Sequence, residues 1–182
     1  MTLEKTVLLI DGQNLYRTAK AIGFDIDFKK LLAEFGSRGN LLRAIYYTAI
    51  DDEAETSSIV PLIDWLDYNG YSVVTKPIKF LTDAEGRRRP KGNMDIEIAV
   101  DAMELGKNIE HVVLFSGNGD FRCLVEAMQR RGVRVTVVSS TASQPAACAD
   151  ELRRQADTFI ELADLKSKIA RDVKSKPERI AV

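Results

Sequence analysis

The sequence predicts an α/β domain on a mostly parallel sheet of five or six strands. Two observations carry that expectation. Short apolar, β-rich runs alternate with stretches of helical periodicity. Two of the runs, Val7-Leu8-Leu9-Ile10 and Val112-Val113-Leu114-Phe115, are apolar on both faces, as central strands covered by helices on each side must be.

In chain order, the strand-like segments are Thr6–Ile10, Leu42–Ile50, Tyr71–Ile78, His111–Ser116 and Val133–Val138, with Thr158-Phe159-Ile160 as a short edge strand. Between them, Ile59, Leu62, Ile63 and Leu66 follow the i, i+3, i+4, i+7 spacing of a helix and stop at Asn69-Gly70, a natural left-handed terminus. Ile96, Ala99, Val100 and Met103 form a second stripe. Phe121, Leu124, Val125 and Met128 form a third, closed by Arg130-Arg131-Gly132, where basic side chains suit the negative helix end and Gly132 supplies the cap. Leu162, Leu165 and Ile169 predict a C-terminal helix. Lys79 to Asn93, with Arg87-Arg88-Arg89-Pro90-Lys91-Gly92 inside it, has turn-formers and no period, and reads as an extended, basic, mobile loop. One domain is expected over residues 1–165, followed at 166–182 by a basic helix end and a tail that is partly disordered.

Composition narrows the function classes. With 182 residues, 45% hydrophobic and 29% charged, the chain suits one ordinary globular domain rather than a disordered chain or a disulfide-built miniprotein. A net charge of −1 excludes a uniformly basic nucleic-acid binder and leaves room for a local basic patch. Cys123 and Cys148 have no CxxC spacing and no signal-like segment precedes the first strand, so a reducing cytoplasm is the expected location. The apolar runs fall far short of the roughly 20 residues that span a bilayer, so no membrane role is expected.

Functional groups of open parallel sheets gather outside the carboxyl ends of the strands, above all where strand order reverses. Three acids are candidates for that edge. Asp11 follows the first strand in Asp11-Gly12-Gln13-Asn14, Asp120 follows the fourth through Gly117-Asn118-Gly119, and Asp95 opens the helix after the basic loop. If the first and fourth strands are neighbours, the three carboxylates can converge. Clustered acids repel and raise one another's pKa unless a cation neutralises them. A hard oxygen cluster suits Mg²⁺ or Mn²⁺, which activates water and stabilises phosphoryl charge. Each acid alone can equally be a helix N-terminal residue, with Asp11 or Asp95 as a cap and Asp120 favoured by the dipole. Glu97 falls nearly opposite Asp95 on the helix and is expected in solvent, while Asp101 either backs the cluster or is solvated.

Other motifs fall away. Gly117-Asn118-Gly119-Asp120-Phe121-Arg122 starts like GxGxxG but ends in Arg122 and lies late in the chain, and no GxxxxGK[ST] is present. A phosphatase using DxD after the first strand would need an acid at Gln13. His111, the single histidine, precedes a strand without ligand-spaced partners and is expected at a strand edge.

Three ordered motifs resemble the NYN domain, specifically its LabA-like bacterial branch: Ile10-Asp11-Gly12-Gln13-Asn14, then Lys91 with Asp95 and Asp101, then Ser116-Gly117-Asn118-Gly119-Asp120-Phe121. The similarity runs from about Thr6 to Leu162 and includes Ala156-Asp157-Thr158-Phe159-Ile160. The resemblance implies a three-layer α/β/α PIN-like fold and a Mg²⁺- or Mn²⁺-dependent ribonuclease. Asp11, Asp95 and Asp120 would be its catalytic and metal-binding acids, and Asn14 and Ser116 its positioning residues. The family usually has an acid where this chain has Asn118. An amide oxygen can bind a metal without supplying charge, so metal affinity should fall.

Lys76, Lys79, Arg87, Arg88, Arg89 and Lys91 flank the expected cleft and are candidates to hold RNA phosphates, against the alternative of a solvated charged loop. Phe80 is a candidate stacking surface, whereas Phe121 belongs to a core stripe. Two other functions fit the same residues: an RNA-binding or regulatory module that does not cut, motivated by Asn118, and a small-molecule phosphate hydrolase. Pro145–Ala149 and the C-terminal helix are candidate homo-oligomer surfaces, indistinguishable in sequence from packing within one chain.

Overall fold

In the computed structural model, which describes residues 3–51 and 59–173, six strands build one parallel sheet. The strands are β1 (Lys5–Asp11), β2 (Asn40–Ile50), β3 (Ser72–Pro77), β6 (His111–Phe115), β7 (Arg134–Ser139) and β8 (Thr158–Glu161). Their order is β3-β2-β1-β6-β7-β8, so the two runs apolar on both faces pair at the centre, with Leu9 opposite Leu114 and Ile10 opposite Phe115.

Alternation along β1 supplies both cores. Leu8 and Ile10 join Tyr46, Phe115 and residues of α1 (Gly12–Ala21), α2 (Phe28–Gly36), α3 (Val60–Tyr68) and α7 (Leu162–Ile169) on one face. Val7 and Leu9 join Tyr47, Leu114 and residues of α4 (Asp95–Leu105), α5 (Arg122–Arg130) and α6 (Asp150–Gln155) on the other. The result is a three-layer α/β/α fold. Gly70 and Gly132, at φ +90° and +79°, take the left-handed conformation expected just past α3 and α5. No described helix is long and apolar enough to cross a membrane.

The chain from β1 through β3 builds outward in one direction, then returns to place β6 on the other side of β1. Strand order therefore reverses between β1 and β6, which opens a crevice at their carboxyl ends.

Three expectations are corrected. Lys79–Asn93 is not a mobile loop but mostly a hairpin, β4 (Lys79–Thr82) paired antiparallel with β5 (Arg88–Lys91). The Asp83 carboxylate organises its turn, accepting from the backbone N–H of Glu85 at 3.1 Å and of Arg87 at 2.8 Å and from Nε of Arg87 and Arg89. The α4 stripe is also displaced: Ile96 and Val100 are 72% and 55% exposed, while Met94, Ile98 and Ala102 are buried. α4 is apolar on more than one face, so its own apolar residues do not settle which face it buries. Glu97 is the third correction, because it is not free in solvent but half-buried against Lys76, with Oε1 and Oε2 both 2.9 Å from Nζ.

Beyond α7, Asp27 N–H donates to Ile169 O and Arg171 N–H to Asp25 O, each at 2.8 Å, which ties the chain down as far as residue 171. The expected disordered end, 174–182, lies outside the described residues.

Candidate active site

A cleft of about 320 Å³ opens over the crevice between β1 and β6, lined by Asp11, Asn14, Arg17, Tyr47, Asn93, Asp95, Asn118 and Asp120 among others. Asp11 is the last residue of β1 and caps α1, its Oδ1 accepting from Asn14 N–H at 3.2 Å. Its other oxygen accepts from the Ser116 hydroxyl at 3.1 Å, just past the end of β6. Asn14 crosses the same junction, with Oδ1 accepting from Gly117 N–H at 3.1 Å. Asn14 and Ser116 thus bind the two strand ends to each other and fix the Asp11 carboxylate between them.

Gly12 and Gly117 permit these close approaches. A Cβ at Gly12 would lie 2.5 Å from the Tyr46 hydroxyl, and one at Gly117 would strike the Ala147 carbonyl. The Pro145–Ala149 segment is used within the chain: Ala149 N–H donates to Gly117 O at 2.9 Å, Cys148 is buried and Ala147 lines the cleft.

Asp95 is the first residue of α4 and caps nothing, since the cap position, Met94, makes no side-chain capping bond. Its Oδ2 accepts from Asn93 Nδ2 at 3.2 Å and Asn118 Nδ2 at 2.9 Å. Asn118 is held from its other end, where Oδ1 accepts from Asp120 N–H at 3.1 Å and caps a short 3₁₀ turn, Gly119–Phe121. One amide therefore bridges two of the three acidic positions, with its NH₂ group directed at Asp95. Asp120 itself is exposed at the cleft rim, while Phe121 turns into the core at 2% exposure.

The electrostatics match this crowding. Burial pushes the Asp11 carboxyl above its ordinary value, partly offset by the hydrogen bonds from Asn14 and Ser116. Burial also raises the Asp95 carboxyl, and the charges of Asp11 and Asp120 raise it further. Asp101 is not in the cleft. It accepts a 2.8 Å hydrogen bond from the hydroxyl of Tyr47, whose residue pairs in register with Asp11 and lines the cleft. Among the described residues, no group of three or more His, Cys, Asp or Glu side chains stands close enough to hold one ion.

The basic residues divide. Lys76 is occupied by Glu97, and Arg87 and Arg89 by Asp83. Lys79 and Lys91 pair directly across the base of the hairpin, and Arg88 lies over the Phe80 ring at 4.5 Å. Arg17, a cation in the cleft whose charge lowers the Asp11 carboxyl, escaped the sequence reading. Its signal is the helical spacing i+3 from Asn14. His111 lies at the opposite end of β6, between the hydroxyls of Thr6 and Thr136.

Known proteins share this sequence pattern and fold. Residues 5–163 match the model of the NYN domain. The chain is 31% identical over 177 residues to the low amplitude and bright protein LabA of Synechococcus elongatus, covering 95% of this chain and 91% of that one. A crystal structure of a protein of unknown function from Vibrio parahaemolyticus superposes with a TM-score of 0.74 at 27% identity, covering 88% of this chain and 93% of that one.

Proposed function

The chain belongs to the NYN-domain family, a PIN-like nuclease family, and from that premise we propose that it is a Mg²⁺- or Mn²⁺-dependent endoribonuclease acting in the cytoplasm. The observation that carries the proposal is the cleft at the β1–β6 crevice, into which three distant points of the chain bring Asp11, Asp95 and Asp120. The donor set fits a hard cation: it is all oxygen, it is anionic, and two of its carboxyls are raised in a way that a cation would reverse. Mg²⁺ commonly takes only one or two carboxylates and completes its shell with water, so the acids need not meet at one point. Asp11, Asp95 and Asp120 would hold it, one or two directly and the rest through its water ligands, with the oxygen of Asn118 as a further donor only if that amide turns over.

When bound, the metal supplies an activated water and charge stabilisation at the phosphoryl oxygens. The protein's own groups do the rest. Ser116 and Asn14 hold the Asp11 carboxylate against rotation. Tyr47 is fixed by Asp101 at the cleft floor, so Asp101 acts as a positioning residue. Arg17, Lys79 and Lys91 are the cations available for RNA phosphates, with Arg88 beside Phe80 on the same hairpin. Lys76, Arg87 and Arg89 shape the surface through their acidic partners.

The Asn118–Asp95 hydrogen bond favours a second reading, an RNA-binding module that cuts weakly or not at all, because a neutral amide stands where a charge would strengthen metal capture. End-labelled RNAs incubated in Mn²⁺, Mg²⁺ or chelator, with Asp120→Asn alongside, separate the readings. Metal-dependent cleavage that disappears in Asp120→Asn supports the nuclease. RNA binding without cleavage supports the module, and nucleotide turnover without RNA affinity would favour a phosphate hydrolase instead.

A further inference from the structure

A second groove adjoins the acidic cleft. It has a volume of about 410 Å³, within the roughly 300–1,000 Å³ typical of pockets that enclose small organic groups. Its walls are Tyr16 and Gln13 of α1, Tyr46 of β2, Leu62 of α3, and Ile78 and Pro90 from the two sides of the hairpin. The groove and the cleft share Gln13, Thr48, Ala49 and Gly92. They are therefore two ends of one depression, acidic at one end and apolar and aromatic at the other.

We propose that this groove receives the base of a nucleotide next to the phosphate held at the acids. The inference rests on the RNA reading of the cleft above. Tyr16 leaves 61% of its surface exposed on α1, with Lys20 Nζ 5.7 Å from its ring centroid, and its ring lines the groove as a surface on which a base can stack. Tyr46 closes the groove against Gly12, whose missing side chain lets the ring approach the backbone. Gln13 and Thr48 place polar groups at the join between groove and cleft. An aromatic, mostly apolar slot with a few polar groups suits a flat heteroaromatic base, whose stacking is indifferent to its identity.

The surroundings suit the backbone attached to such a base. Pro90, which faces the groove, pairs in register with Phe80, so both lie on one face of the hairpin, and Arg88 lies over Phe80. Lys79 and Lys91 oppose each other on the other face, away from the groove, so the basic group on the groove's own face of the hairpin is Arg88. A duplex cannot use the groove, because its bases are stacked and paired inside the helix and must be extruded to reach a side pocket.

The test measures binding in chelator, where cleavage does not intervene. The full chain is titrated by fluorescence anisotropy with a labelled single-stranded RNA, the same strand in a duplex, and a strand of equal length with abasic riboses. Wild type should prefer the base-bearing single strand to the abasic one by about 5- to 150-fold, the effect of stacking one base. Tyr16→Ala should remove most of that preference and Tyr16→Phe should keep it. Tyr16 is largely exposed, so both variants should fold, which circular dichroism checks. Equal affinity for the base-bearing and abasic strands, or a preference unchanged in Tyr16→Ala, overturns the proposal. Asp120-dependent cleavage with no base preference would sink the groove and leave the nuclease standing. Base-dependent binding with no cleavage in Mn²⁺ would do the reverse, and no RNA binding at all would overturn both.

Discussion

Asn118→Asp converts the shortest polar contact of Asp95 in the cleft into a repulsion. In the wild type, Asn118 Nδ2 donates to Asp95 Oδ2 across 2.9 Å, while Oδ1 is committed to the Asp120 N–H. The variant keeps the second bond and turns a carboxylate oxygen towards Asp95. A hydrogen bond to a charged group is lost, typically about 1.5–3 kcal/mol. Two charges about 4 Å apart are gained, which repel by about 1 kcal/mol in water and about 4 kcal/mol near a protein surface. Asp95 is only half-buried, so the low end of both ranges applies and the sum is about 2.5 kcal/mol. For a chain of this size that lowers Tm by about 5–10 °C without metal. A divalent cation between the two carboxylates removes the repulsion, so saturating Mn²⁺ should return most of the loss and raise Tm more in the variant than in the wild type. A shared proton relieves the same repulsion, so the gap between the two proteins should narrow as pH falls from 8 to 5. Differential scanning calorimetry with and without Mn²⁺ reads all three effects. Equal Tm values in chelator, together with equal Mn²⁺ shifts, would refute the bridging role assigned to Asn118.

Gly12→Ala should destabilise the fold by about 1–3 kcal/mol, because its Cβ would lie 2.5–2.6 Å from the Tyr46 hydroxyl and Cε1 and the ring is confined on the core side; urea titration measures it, and an unchanged midpoint would show that Tyr46 moves freely. His111 gives a pH signature: burial, with help from the Arg134 charge, depresses it to about 4 against an unfolded value of 6.5, despite the opposing charges of Glu4 and Asp157. The unfolded chain then binds the proton first, so stability is unaffected above pH 6.5 and declines by up to about 1.4 kcal/mol per unit between pH 6.5 and 4. His111→Gln should flatten that part of the profile, and identical slopes in the two proteins would remove His111 as its source.

The central strands are legible in the sequence because a strand buried on both sides must be apolar at every position, a pattern that Val7–Ile10 and Val112–Phe115 keep throughout. The acids at their ends follow from topology, since a strand end is fixed once the strand is. What escaped depends on pairs of side chains that meet only in the folded molecule. Arg88-Arg89-Pro90-Lys91 has no β-forming composition, and it becomes a strand because Asp83 closes the turn and gathers two arginines. The rotation of α4 is not written in its own apolar residues, which would serve either face. It is set by Glu97 meeting Lys76 of β3 and by Asp101 meeting Tyr47 of β2. Those two contacts lie along one edge of the buried line Met94, Ile98 and Ala102, leaving Asp95 on the opposite edge, towards the cleft. The residues that first look like surplus acids around the site are thus what aims its third carboxylate. Neutralising Glu97 in Glu97→Gln therefore acts on the cleft without touching it, through the angle at which α4 presents Asp95 to Asn118, and should weaken Mn²⁺ binding as read by calorimetry, whereas unchanged affinity would show that α4 holds its angle without that contact.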